Sequence, residues 1–537
     1  MRVVSKIVLS IVLLLIAVNG NIYAQNPNAK PKLAPNVEQL QKIMRVYNNL
    51  DKLYVEDVDM KPLVEKAIRS MLLELDPHST YLTAEEMKSA MEMTRGKFGG
   101  IGVAYDVHHD SIVVTNVLPG GPAENVGVRP NDRIVEVDSK SVVDIQRGDV
   151  PKLLRGDIGS VVNIGVVRHG VAEMLNFSIK RDNIPLTSVD AAYRVDESVG
   201  YIKVNRFGNT TMSEFREAMV KLQGIETLIL DLSSNPGGLL NQAIDMADYF
   251  LPKGLLVTST EGRAIPTTEY LSKNNQEFDG RVIVIINEGS ASGSEAVAGA
   301  LQDWDRALIV GRRSYGKGLV QREMPLGDGS AMRLTVARYH TPSGRVIQRP
   351  YEAGKRDDYN KAFIDRLRGE DGYVDSLSRD SVSLPEYKTL RRGRVVYGGG
   401  GITPDVKVEV DTTRVSQYLV NLVAKGVRDD FMMEYMDANR QRLESEYPTF
   451  AKFESDFKLG DEELDRIVDM AKAKGVEYDA EGYKSSRELL RNQISAMIAQ
   501  RLFTMSEFYQ YINIRENELF NRALELARQH DLDFWAE

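Results

Sequence analysis

The chain has 537 residues, long enough for three or four domains, and its 42% hydrophobic and 27% charged residues form an ordinary globular balance. A net charge of −9 gives no global electrostatic case for nucleic acid. The absence of cysteine excludes thiol catalysis, Cys–zinc sites, disulfides and a lipidated N-terminal Cys, and six histidines leave little for a His-rich metal site. No cofactor or metal-ligand spacing stands out.

Residues 1–24 read as a secretory signal peptide. Arg2 and Lys6 precede Ile7–Val18, a 12-residue run broken only by Ser10. That is short against the roughly 20 apolar residues of a membrane span. Ala24 suits the cleavage position, although Ile22 at −3 is larger than ideal, so a retained anchor is the alternative. Residues 25–96 follow as a linker and an N-terminal helical region. Ile43, Val46, Leu50 and Leu53 share one face of a helix expected from Val37 to Leu75, ending at Asp76-Pro77. Residues 97–182 change to short strands and turns: Ile101–Tyr105, Ser111–Val117, Arg133–Val137 and Val161–Arg168. In residues 183–410 apolar strands (Tyr201–Val204, Thr227–Leu232, Val282–Ile286, Leu308–Val310) alternate with helical patterns, an α/β arrangement. Residues 350–393 are charged and read as an exposed insertion. Residues 411–537 are helical, with Leu490, Ile494, Met497, Ile498 and Leu502 on one face.

Three glycine-rich turns could carry chemistry. In Asn287–Glu295, between a strand and a helix, a serine at the helix N-terminus meets free N–H groups and a positive dipole end suited to an oxyanion. The plainer reading is a capping box made by Ser292 and Glu295. In Gly311–Gln321, Lys317 lies between two glycines. Gly311–Lys317 matches G-x-x-x-x-G-K, but Gly318 stands where a P-loop needs Ser or Thr for Mg²⁺, so an NTPase is disfavoured. Ser314–Lys317 also fits S-x-x-K, without a Lys-Thr-Gly partner anywhere in the chain. In Asp231–Gly238, two glycines allow close substrate approach and could donate N–H groups to an oxyanion hole; a tight turn is the plainer reading.

Taken in order, these segments resemble the carboxyl-terminal processing (tail-specific) proteases. The resemblance is carried by Asp76–Leu82, Phe98–Val103, Gly127–Asp132, Asp231–Gly238, Ser290–Glu295, Gly316–Gln321, Tyr339–Arg345 and Gly401–Asp405. It implies a multidomain chain in which a protease core of ClpP/crotonase-like topology carries an inserted PDZ domain, flanked by helical N- and C-terminal regions. It implies a serine endopeptidase with a Ser–Lys dyad and no cofactor. Ser292 matches the nucleophile, Lys317 the general base 25 residues on, and Gln321 the glutamine that supports the lysine. The N–H groups of Gly293 and of Gly237 or Gly238 match the oxyanion hole. Two departures stand out: Ser233 where many relatives have arginine, and Gly293 where alanine is usual.

An ordinary lysine titrates near 10.4, so half-neutrality at pH 7 requires about 4.6 kcal/mol, and burial acts in that direction. A catalytic histidine is disfavoured, because none lies in the three turns. Gly100, Ile101, Gly102 and Val103 resemble a PDZ carboxylate-binding loop, which captures a chain terminus while the peptide adds to a sheet edge. The expected substrates are proteins with apolar, unstructured C-termini, and the expected location is the periplasm or cell envelope. The expectation also includes gating of the active site by the PDZ module. The C-terminal region is open to packing on the core, an adaptor protein or a homo-oligomer, with packing favoured. The competing function is a catalytically inactive PDZ adaptor or chaperone; intact Ser292, Lys317 and Gln321 argue against it.

Overall fold

The computed structural model describes residues 35–108, 110–368, 384–529 and 534, so the signal-peptide expectation lies outside the described residues. The chain divides into two units, up to Ser70 and from Met71. In the first, the single helix expected from Val37 to Leu75 is two, α1 (Pro35–Leu53) and α2 (Met60–Leu73), the latter running on into the second unit. The six residues between them include the β-branched Val55 and Val58 and two aspartates, Asp57 and Asp59, which favour caps and turns over helix interior. Asp59 accepts the Lys61 N–H at 3.0 Å and so opens α2.

The second unit starts with β1 (Thr80–Leu82) and α3 (Ala84–Arg95). Thr83 and Glu86 exchange bonds at its N-terminus, and Gly96 ends it at φ 71°. Then β2 (Lys97–Gly100) leads into an antiparallel sheet of β3 (Val103–His108), β4 (Ser111–Val117), β5 (Arg133–Val137), β6 (Val161–Val167) and β7 (Leu175–Lys180), with the short helix α4 (Val150–Leu154) before β6. Ile101 and Gly102, expected in a strand, form a loop instead, because Gly102 takes φ 77°. β3 is an edge strand of this sheet. β8 (Asp182–Pro185) pairs with β2 and closes the module at its neck.

Next comes a six-stranded sheet in the order β9 (Val189–Arg194), β10 (Val199–Val204), β11 (Thr227–Asp231), β14 (Arg281–Ile286), β15 (Leu308–Gly311) and β18 (Val406–Lys407), parallel except for β9. Its four inner strands are buried at every position except Arg281, because both faces are covered. Leu228, Leu230, Val282, Val284 and Ile286 pack with α5 (Thr211–Lys221), α6 (Leu240–Phe250) and α7 (Gly293–Asp303). Ile229, Ile283 and Ile285 point the other way, onto the last described helix, Glu518–Arg528, through Phe520 and Leu524. A second, antiparallel sheet joins β1, β12 (Leu256–Glu261), β13 (Thr268–Leu271), β16 (Leu319–Pro325) and β17 (Ala331–His340).

The 350–393 insertion, expected to be exposed, holds α8 (Arg356–Arg368). Its Tyr359 is only 4% exposed, because the helix lies against the turn before β16. The C-terminal helices build their own core around Phe431, Phe453, Ile467, Ile494 and Ile498, which Val113 of β4 joins.

Candidate active site

β14 delivers the chain at Ile286 into a short turn, and α7 begins at Gly293. Ser292, between them, has φ 53° and ψ −110°, a backbone that a serine adopts only under constraint. Glu295 supplies part of that constraint. Its Oε2 accepts the Ser292 N–H at 2.8 Å, the carboxylate half of the expected capping box. The turn is also fastened to the end of β11: Ser290 Oγ donates to Leu232 O at 2.8 Å, and Ser234 N–H donates to Asn287 Oδ1 at 2.6 Å.

Asn235, fully buried, welds this turn to the Asp231–Gly238 turn. Its carbonyl accepts from Ala291 N–H and Ser294 Oγ, both at 2.9 Å, and its Oδ1 accepts the Gly237 N–H at 2.9 Å. Both glycines need positive φ, 93° at Gly237 and 145° at Gly238. A Cβ on Gly237 would lie 2.7 Å from Ser292 Cβ and from Gly293 N; one on Gly238 would lie 2.1 Å from Phe207 O. Gly237 thus faces the serine with its Cα, while its N–H is committed to Asn235. The N–H groups of Gly238 and Gly293 have no hydrogen-bond partner among the described residues. Gly293 is the first residue of α7, where such an orphan donor is expected. Ser233 is held by Lys203 Nζ at 2.9 Å, and Lys203 also pairs with Asp231 at 3.0 Å.

Lys317 follows β15 in the turn that opens β16. Its Nζ donates to Gln321 Oε1 at 3.0 Å, and Gln321 Nε2 donates to His78 O at 2.7 Å. The His78 carbonyl is itself fixed. Asp76 Oδ1 accepts the N–H groups of His78 and Ser79 at 2.8 Å and Thr335 Oγ1 at 3.1 Å, tying this segment to β17. Burial pushes the Lys317 ammonium down, the Arg333 charge acts the same way, and Glu295 and Asp76 oppose them.

Among the described residues, Ser292 Oγ and Lys317 Nζ do not hydrogen-bond to each other. Their backbones nevertheless share two partners. Glu295 Oε2 accepts the N–H of Ser292 and of Lys317, each at 2.8 Å. The Tyr339 hydroxyl lies 2.9 Å from both carbonyl oxygens and shares its one proton between them. Glu295 Oε1 further accepts Ser314 Oγ at 2.5 Å and Gly316 N–H at 2.6 Å. Burial pushes the Glu295 carboxyl up, and its four donors work against that.

Ser292, Lys317, Gln321, Gly237, Gly238 and Gly293 therefore lie in one linked cluster. Gly100, Ile101, Gly102 and Val103 do not join it: no hydrogen bond or ion pair among the described residues connects them to Ser292 or Lys317. They sit at the start of edge strand β3, where the N–H groups of Ile101 and Gly102 are unpaired among the described residues. Neither His78 nor His340 hydrogen-bonds Ser292. His78 Nε2 faces Tyr359 Oη at 3.2 Å, and His340 Nδ1 faces Gly344 O at 3.3 Å. Sequence reasoning placed Glu295 only as a cap and gave Tyr339, Asn235 and the His78 carbonyl no task. All four lie within the motifs that carry the resemblance, but no spacing reveals a bond that closes over 22 or 47 residues.

The model of peptidase family S41 matches residues 198–359 and a PDZ-domain model matches residues 113–168. A model described as the activating protease CtpB N-terminal domain matches 17–86, and one of a family of unknown function matches 418–504. A Bartonella bacilliformis protein named carboxy-terminal-processing protease is 35% identical over 391 residues, 67% of this chain and 90% of its own length. This chain belongs to peptidase family S41. Another relative, a probable CtpA-like serine protease of Staphylococcus epidermidis, is 33% identical over 453 residues, 81% of this chain and 83% of its own. The solved photosystem II D1 C-terminal processing protease is 26% identical, spans 70% of this chain and 89% of its own, and has a TM-score of 0.36. The chain is a serine protease of the S41 type with a PDZ domain.

Proposed function

We propose that this S41 protease is an exported endopeptidase that selects protein C-termini at its PDZ module and cuts nearby through a Ser292–Lys317 dyad. The observation that carries the reading is the shared clamp: Glu295 and Tyr339 each hold the backbones of Ser292 and Lys317 together. Export rests on residues 1–24; among the described residues no helix is long and apolar enough to cross a membrane.

Neutral Lys317 takes the Ser292 Oγ proton as Oγ attacks the scissile carbonyl carbon. The carbonyl oxygen gains the negative charge between the Gly238 and Gly293 N–H groups, each donor contributing about 3 kcal/mol. The C–N bond breaks, and Lys317 returns the proton to the leaving amine. Water then adds to the acyl-enzyme, giving a proton to Lys317, and the collapse frees the new C-terminal carboxylate while Oγ recovers its proton. Because Nζ bonds Gln321 in this form, substrate engagement has to bring Nζ onto Oγ, as catalytic hydrogen bonds commonly tighten in the Michaelis complex.

The PDZ reading is supported by the unpaired N–H groups at Ile101 and Gly102 beside a free strand edge, suited to a terminal carboxylate and an added strand. No observation favours the inactive-adaptor alternative. The test is a folded reporter with an unstructured apolar tail, ending in a free carboxylate or an amide, with products read by mass spectrometry. Wild type is expected to cut the free-acid reporter faster, near its C-terminus, and folded Ser292→Ala to cut neither. Equal rates on both tails remove the PDZ part; cleavage by Ser292→Ala removes the nucleophile.

A further inference from the structure

Helix α8 belongs to the insertion between the Tyr339–Arg345 and Gly401–Asp405 motifs, and it meets the lysine turn at several points. The Tyr359 hydroxyl lies 3.2 Å from His78 Nε2 and 3.3 Å from Gln348 Nε2. An amide nitrogen can only donate, so Gln348 donates to Tyr359, whose own proton is shared between His78 and the neighbouring Tyr315 hydroxyl. His78 can receive it: burial, helped by the Lys317 charge, lowers its pKa to about 4, leaving the ring neutral with one acceptor nitrogen.

Each end of this chain reaches the base. Gln348 Oε1 accepts the Gly318 N–H, next to Lys317, at 2.9 Å. The His78 carbonyl accepts Gln321 Nε2 at 2.7 Å, and Gln321 Oε1 accepts Lys317 Nζ at 3.0 Å. The same helix packs the turn from outside. The Arg349 guanidinium sits 4.0 Å from the Tyr359 ring centre, 4.5 Å from that of Tyr315 and 4.8 Å from that of Phe363. Arg349 is 6% exposed, and its backbone N–H donates to Gly316 O at 3.0 Å. Arg366 Nη2 donates to Ser314 O at 3.1 Å.

We propose that α8 positions the base of the dyad, with Tyr359 as the positioning residue whose hydroxyl joins the two supports of Lys317, the Gly318 amide and the Gln321 side chain. This rests on the Ser292–Lys317 reading. A lysine side chain is long and freely rotating, and a misplacement of about 1 Å at a reacting group can lower the rate about 100-fold. Fixing both flanks of the turn from one helix narrows where Nζ can go.

Tyr359→Phe keeps the ring against Arg349 and deletes only the hydroxyl. The experiment measures kcat and KM on a peptide substrate for wild type, Tyr359→Phe and Lys317→Ala, with thermal unfolding and C-terminal peptide binding alongside, and repeats kcat/KM across pH. Tyr359→Phe is expected to lower kcat about 5- to 20-fold with KM and peptide binding unchanged, to lower the unfolding temperature only as far as the lost buried hydroxyl bonds account for, and to displace the acid limb of the pH profile. A kcat within about twofold of wild type overturns the proposal, as does a fall matched by lost stability with an unmoved pH profile. If Lys317→Ala keeps wild-type kcat, the dyad reading fails and takes this one with it. An inert Lys317→Ala beside an unaffected Tyr359→Phe removes α8 alone.

Discussion

Replacing Gly237 by alanine inserts a methyl group between the glycine turn and the serine turn. Its Cβ would lie 2.7 Å from Ser292 Cβ, from Gly293 N and from Ala291 O. None of these is the mobile end of a long side chain. All three belong to the turn fixed by Asn235 and Glu295, so the turn itself has to shift. The positive φ of 93° adds strain of about 1–2 kcal/mol for a residue with a Cβ. If the Gly293 N–H leaves the oxyanion position, the lost donor amounts to about 3 kcal/mol, or more than 100-fold in kcat. Gly254→Ala separates the two effects, because Gly254 has φ 89° and open space where its Cβ would go. It is expected to lose about 1–2 kcal/mol of stability and no turnover. Steady-state kinetics and denaturant unfolding of both variants provide the comparison. Turnover by Gly237→Ala within about threefold of wild type refutes the reasoning.

Glu295→Gln turns an NH₂ group toward two of the four donors in a fully buried site; urea unfolding is expected to show a loss of about 2 kcal/mol, and peptide turnover to fall at least about tenfold. The His78 pKa of about 4 lies below its ordinary 6.5, so its contribution is intact above pH 6.5 and is lost as pH falls through 4. That loss is about 3 kcal/mol, read as the difference in acid unfolding between wild type and His78→Gln. The neutral form of Lys317 is the base, so kcat/KM is expected to rise with pH through a midpoint below 10.5, and an acid limb centred at or above that value contradicts the burial effect. Phe520→Ala opens a cavity under the helix that covers the outer face of the six-stranded sheet and is expected to lower stability by about 3–5 kcal/mol by calorimetry.

The parallel strands were legible because burial on both faces leaves long apolar runs in them, as in Val282–Ile286. The second sheet was not. β16 reads Leu-Val-Gln-Arg-Glu-Met-Pro and is half solvated, and three-residue β1 exists only through pairing with β17, some 250 positions away. Likewise, α8 is strongly charged, and its packing depends on two aromatic residues meeting Arg349 from outside the helix. At the site, residue types and spacing suggested the serine and lysine turns. The bonds between them were hidden, since a Ser-x-x-Glu pattern signals a local cap and says nothing of a carboxylate that also accepts the Lys317 N–H. The choice between the glycines needed coordinates as well: Asn235 occupies the Gly237 N–H and leaves that of Gly238 unpaired among the described residues.

The central claim is that Ser292 is the nucleophile and Lys317 its base. The most direct measurement reacts wild type and Lys317→Ala with a fluorophosphonate, follows adduct mass over time, and locates the modified residue by peptide mapping. The expected result is a single adduct on Ser292, forming at least about 100-fold more slowly in a Lys317→Ala protein whose circular dichroism matches wild type. An adduct on a different serine, or labelling of Lys317→Ala at the wild-type rate, contradicts it.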